Sequence, residues 1–321
     1  MSSQHFSSYE LVVIGDIAYH IAEPSLLQTA LEKAGYPAEK AMEWLSSKDG
    51  RLPVAITNAI VSGSTAAMTK TVELAAAFHD RGDVFEHCRR LGSPVSTWEE
   101  VHALPLELQD IVADRHNLNQ AILIGLEGAL AAAAATLAEG AGPWAYALLP
   151  SIIAADITAS MTMLAGNVSR IAASYGFDPA QRENFPHILA ALAPTSLKTP
   201  DGFLPAKSSI FVEVRAAQKF LKTLGQEEVK QATPRLIAML TSVASRLQIV
   251  LTEKELAVLV PLVGIALNGS ANVAYQQVST TYARDYFRRQ VLNARHGEDA
   301  VTAELNRALA EIKSRVSGSA K

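Results

Sequence analysis

Two stretches almost empty of charge constrain this chain more than any other feature. From Gly140 to Tyr175 it reads GAGPWAYALLPSIIAADITASMTMLAGNVSRIAASY, where Asp156 is the sole carboxylate and no other charge precedes Arg170. From Leu256 to Ala283 there is no charged residue at all. Runs of this kind form either the central helices of a core or segments that meet a membrane. In the first, Ile152, Ile153, Ile157, Met161, Leu164, Val168 and Ile171 recur at three- and four-residue intervals. That is the periodicity of a helical face. Pro143, Pro150 and Asp156 interrupt the run, and the apolar part of the second, Leu256 to Leu267, is about 12 residues long where a spanning helix needs about 20. A bundle core therefore explains both better than lipid does.

The rest of the chain obeys the same helical grammar. Leu11, Ile14, Ile17, Ala18 and Ile21 mark a face within Tyr9 to Ala22, although the β-branched Val12, Val13 and Ile14 also suit a short strand. Leu91-Gly92-Ser93-Pro94 is a break, and Ser96-Thr97-Trp98-Glu99 after it has the Ser-x-x-Glu pattern of a capping box. A further helix opens at Leu104-Pro105-Leu106. Tyr175-Gly176-Phe177-Asp178-Pro179 closes one helix with glycine and is expected to start the next with an N-cap aspartate and a proline at its first position. That next helix ends near Leu192, before a loop from Ala193 to Pro205. Alternating charges with Val301, Leu305, Leu309 and Ile312 at helical spacing give a C-terminal surface helix. The expected architecture is an all-α multi-helix bundle with two central uncharged helices. Its divisions are a helical N-terminal region over 1–94, a core over 95–296 and the surface helix over 297–321.

Charge and cysteine content exclude several classes of function. The net charge is −4 and no basic stripe is visible, which argues against nucleic acid as a partner. Charged residues are 19% of the 321, below the soluble average of about a quarter, but much of the apolar remainder is alanine. A single cysteine, Cys88, excludes an internal disulfide and a multi-cysteine zinc site. The first residues lack the pattern of a secretory signal, so a cytoplasmic setting is expected.

Three constellations could carry chemistry. Asp156, alone in an apolar helix, needs a partner, since an unpaired buried carboxylate costs several kcal/mol. Asn268 and Asn272, at i and i+4 on one helical face, could receive it, and Arg284 or Arg288 could neutralise it. Such a group is either a polar network that fixes helix register or the polar end of a pocket for an acyl chain. His79, Asp83 and His87 are spaced i, i+4, i+8, which would place metal ligands on one face of an unbroken helix. Gly82 makes a polar turn between helices the preferred expectation there. Cys88 beside His87 invites a thiol nucleophile, but no third orienting group accompanies them.

The segments Ile152–Pro179, IIAADITASMTMLAGNVSRIAASYGFDP, and Pro261–Leu292, PLVGIALNGSANVAYQQVSTTYARDYFRRQVL, resemble the EcsC family of bacterial proteins. Asp156, Tyr175, Gly176, Asp178, Pro179, Pro261, Gly264, Asn272, Ala283, Tyr286 and Phe287 carry the resemblance, which covers Leu118 to Leu292. It implies an all-helical protein of a family named for an ABC-transporter operon, and it implies no particular chemistry at any residue.

The expected function is that of a non-catalytic helical accessory or binding protein, cytoplasmic or peripheral at the inner face of the membrane. Its partner would be a lipid or a membrane protein such as a transporter, and no cofactor is expected. The alternative is a hydrolase-like or metal-dependent enzyme using Asp156 or the His79–Cys88 cluster. A structural protein with integral helical hairpins is a third class.

Overall fold

In the computed structural model, the residues described are 6–22, 54–55, 58, 81–118, 151, 164–192, 197–199, 202–204 and 261–318. Eight helices can be traced among them. They are α1 (Ser8–Ala22), α2 (Arg81–Arg90), α3 (Trp98–Ala103), α4 (Leu106–Leu118), α5 (164–174), α6 (Phe185–Leu192), α7 (Pro261–His296) and α8 (Glu298–Gly318). A 3-10 turn, Arg182–Asn184, precedes α6. The expected all-α class holds, with one addition. The loop foreseen over Ala193 to Pro205 contains strands β1 (Leu197–Thr199) and β2 (Gly202–Leu204), paired antiparallel with Leu197 opposite Leu204 and Thr199 opposite Gly202. A two-residue connection suffices for such a hairpin.

Among the described residues, three glycines mark the sharp stops. Gly92, Gly176 and Gly297 have φ of 81°, 84° and 83°, a region costly for residues with a Cβ. At Gly176 the Phe177 N–H donates to the Ala172 carbonyl and the Gly176 N–H to that of Ala173, each at 3.0 Å. This is a Schellman closure of α5. The same two bonds recur at Gly92, from Ser93 to Cys88 and from Gly92 to Arg89.

The segment after Gly176 differs from expectation, because Asp178 does not cap a helix at Pro179. Its side chain accepts from the Ala180 N–H at 2.9 Å, its carbonyl accepts from Asn184, and regular α-helix begins only at Phe185. The aspartate's short reach satisfies a local turn first. The capping box at α3 is displaced by one residue as well. Thr97, not Ser96, is the N-cap, and Glu100 returns the bond to the Thr97 N–H at 3.2 Å and to the Ser96 N–H at 2.6 Å. Both Ser96/Glu99 and Thr97/Glu100 fit the pattern, and burial of Trp98 and Val101 decides between them.

Helix α1 confirms the helical reading of Tyr9 to Ala22 but turns its face. Val13 and Glu10 are buried together with Ile14, Ile17, Ala18 and Ile21, whereas Leu11 is 41% exposed. The reason lies in its partners. α1 packs chiefly on α8 and also touches α4 and α7, so it is enclosed over more than one narrow stripe. α8 rests on α1 and α7, burying Val301 and Leu305. Both α1 and α8 thus close on α7. α6, with all eight residues buried, packs against α7 as well.

A second apolar cluster joins α2, α3, α4 and α5 through Val84, Cys88, Trp98, Val101, Val112 and Ala173. Phe85 lies tilted on Trp98, ring centroids 4.8 Å apart. From Arg81 onward the stretch is helix, so the polar turn preferred from the sequence does not extend over α2, and His79 and Asp80 lie outside the described residues.

Candidate functional site

The polar centre of the described structure is Asp110 on α4. Its neighbours at core spacing, Leu106, Gln109 and Ala113, are buried too, so the carboxylate points inward. Three other elements converge on it. Arg288 of α7 donates from Nε to Oδ1 and from Nη2 to Oδ2, both at 2.9 Å. Tyr9 of α1 donates its hydroxyl to Oδ2 at 2.6 Å, and Tyr175, at the end of α5, donates to Oδ1. A forked guanidinium and two phenols saturate the carboxylate and offset the cost of burying it.

The same geometry sets the protonation states. Burial first, and then the adjacent Asp110 charge, push the Tyr175 phenol far above its ordinary value. Burial and the bond to Asp110 do the same to Tyr9. Both hydroxyls therefore stay protonated and act as donors. Burial works against the charge of Arg288, but its bond to Asp110 and the surrounding Tyr175, Asp110 and Asp285 together outweigh that and hold the guanidinium firmly protonated.

Around this centre lies a wider set of charges. Arg284, one helical turn before Arg288, binds Asp114 on α4 and stands 3.8 Å from Asp110. Asp285 on α7 receives a hydrogen bond from His20 Nδ1 of α1 at 2.7 Å, with Arg288 Nη1 3.7 Å from its other oxygen. Farther along the α1–α7 contact, Glu10 meets Arg295 Nη1 at 3.4 Å and His296 Nε2 at 3.2 Å. Arg295 also donates to the Leu104 carbonyl, tying the α3–α4 corner to the end of α7.

An aromatic layer backs the network. Tyr175 stacks near Phe287, Phe177 packs on Phe287 and His187, and His187 hydrogen-bonds the Tyr286 hydroxyl at 2.8 Å. His102 donates to the Tyr175 carbonyl at 3.0 Å. A Cβ on Gly176 would lie 2.5 Å from the His102 backbone nitrogen, so glycine here serves both the turn and the approach of α5 to α3.

The structure divides the expected site residues. Asp156 and His79 lie outside the described residues. Asn268 and Asn272 lie within α7. Arg284 has Asp114 and Asp110 as its acidic neighbours. Asp83 and His87 share one face of α2, and among the described residues no group of three metal-binding side chains occurs. Cys88 is fully buried, and burial raises its thiol pKa, the opposite of what a nucleophile needs. Sequence reasoning misses Asp110 and Tyr9. The signal that could have found the first is Gln109 and Asp110 at the i+3 and i+4 positions from Leu106, polar residues where a core face requires apolar ones.

The model of the EcsC protein family matches residues 27–292. The chain belongs to the EcsC family. The match reaches much farther toward the N-terminus than the motif resemblance, which began at Leu118. It includes Asp110, Tyr175 and Arg288 and leaves α1 and α8 outside. No curated protein and no solved structure matches the chain. Within this EcsC chain, the Tyr-Gly junction and the Tyr-Phe-Arg-Arg finish of α7 meet in space: Tyr175 and Arg288 share Asp110. None of the helices among the described residues is long and apolar enough to cross a membrane.

Proposed function

We propose that this EcsC-family protein acts by binding and not by turnover. It would be a helical accessory protein, cytoplasmic or peripheral at the inner membrane face, whose partner is an amphiphile or a membrane protein such as a transporter. The observation that carries this reading is the saturation of Asp110. An acid or base that works on a substrate needs a free lone pair or proton directed at it. Asp110 has its oxygens occupied by Arg288, Tyr9 and Tyr175, and both phenols are held as donors to it. The only thiol is buried and protonated. These groups serve to lock helices together, and a rigid helical frame is what a binding protein presents to its partner.

The test is direct. The full-length protein, expressed in bacteria and purified without detergent, is assayed by native mass spectrometry with lipid extraction. It is also floated with vesicles of mixed zwitterionic and anionic phospholipid. Stoichiometric lipid or co-flotation supports the proposal. Neither of these, together with turnover of a generic ester or phosphoester abolished by changing Asp156 or His79, would replace it with the enzyme reading.

A further inference from the structure

Asp285 is a carboxylate with its side chain 2% exposed, and among the described residues its one hydrogen bond comes from His20. Its Oδ1 has no hydrogen-bond partner there, and the nearest guanidinium, Arg288, is 3.7 Å away with its Nε and Nη2 committed to Asp110. A buried carboxylate supported this thinly depends on its partner being charged. The imidazole of His20 is 34% exposed and so can exchange its proton with solvent. At the other end of α1 the situation differs, because Glu10 faces Arg295 as well as His296, and an arginine does not titrate.

We propose that α1 is a pH-sensitive latch whose bolt is His20: protonated, it clamps the C-terminal half of α1 onto α7, and neutral, it lets that half loosen while Glu10 and Arg295 keep the start tethered. The charged groups acting on His20 are Asp285 and Arg288 of α7 and Asp16 of α1 itself. α4 contributes Asp110, which reaches α1 through Tyr9. α8 packs on α1 with Val301 and Leu305 buried, and its Glu298 acts on Arg289 of α7. The hydrogen bond to Asp285 raises the pKa of His20 above its ordinary 6.5; burial opposes, the Asp285 and Asp16 charges assist and Arg288 opposes. The clamp is therefore complete below pH 6.5 and weakens as the pH rises through the raised value. Because α1 precedes residue 27, the latch closes a flanking helix onto the segment that the family match covers.

Hydrogen exchange on the full-length protein at about pH 6 and about pH 9, corrected for intrinsic rates, tests this. Protection of residues 16–22 is expected to fall about threefold or more at the higher pH, with smaller loss at 8–15 and none over 98–118. His20→Gln, which keeps a donor without a titrating charge, should show low protection at both pH values. A pH dependence that persists in His20→Gln, or that is uniform along the chain, overturns the latch. If that variant does not fold, the NMR titration of His20 decides. Its midpoint should lie above 6.5 in the native chain and fall toward it in Asp285→Asn, and an unshifted midpoint overturns the proposal.

Discussion

Arg288 forks both oxygens of Asp110 at 2.9 Å across 178 residues of sequence, and this pair joins α4 to α7 at the centre of the described core. Removing one member leaves a buried charge without its counter-ion, which typically costs about 3–5 kcal/mol. Asp110→Ala is expected to lose about that much in urea denaturation, since Arg288, Tyr9 and Tyr175 all lose their acceptor. Removing both charges is a different matter. The double variant Asp110→Leu with Arg288→Met should be more stable than either single change predicts by addition, because the uncompensated charge is gone. Strict additivity would mean that the pair is not coupled as the geometry requires.

Gly176 and Gly297 share the same backbone region, with φ of 84° and 83°, but only Gly176 is pressed against another element. Gly297→Ala should cost about 1–2 kcal/mol, the penalty for a left-handed residue bearing a Cβ. Gly176→Ala should cost more, because its methyl would meet the His102 backbone at 2.5–2.6 Å and force α5 away from α3. Thermal denaturation of the two variants measures the difference. Equal losses would show that the α3–α5 approach is slack.

Much of this architecture is legible in local sequence, and the part that is not depends on distant contacts. The stops at Gly92 and Gly176 are set by residue type alone, as the Schellman bonds of Cys88–Ser93 and Ala172–Phe177 confirm. The helical character of Tyr9–Ala22 is set by periodicity, but not its orientation, since α8 and α7 lie more than 230 residues away in sequence and determine which residues are covered. The polar centre shows the same division. Arg284 or Arg288 is expected from the sequence to neutralise Asp156, which lies outside the described residues, and both instead lie near Asp110. Which carboxylate they meet is a tertiary fact, because local sequence offers several aspartates. The C-terminal residues Val301 and Leu305 are buried as their spacing suggests, while the Glu304–Arg307–Glu311 ladder, half-buried at Glu304 and exposed at Arg307 and Glu311, marks the solvated side of α8.

Cys88 is enclosed by Val84, Val95, Trp98 and Val112, and burial raises its thiol pKa. Reaction with a disulfide reagent at neutral pH should therefore proceed only through unfolding of α2 or of the whole core. The expected outcome is a negligible rate for the native protein and complete reaction in denaturant. Fast modification of the folded protein would place the thiol at a surface and reopen its candidacy as a nucleophile.

Glu10 sets the acid limit of the α1 contact. Burial pushes its carboxyl upward, but the Ser7 N–H, donating at 2.8 Å, and the neighbouring His296 outweigh it and hold the pKa below the ordinary 4.5. A depressed value means that the charged form stabilises the folded state. That contribution is present above pH 4.5 and disappears as the pH falls through the lowered value. Glu10→Gln should cost about 1.5–3 kcal/mol at neutral pH, the usual range for a bond to a charged acceptor. The native and variant curves of stability against pH should then converge in acid, where the native carboxyl is also neutral. A constant gap down to the acid transition would show that the Glu10 charge does not secure α1 to α7.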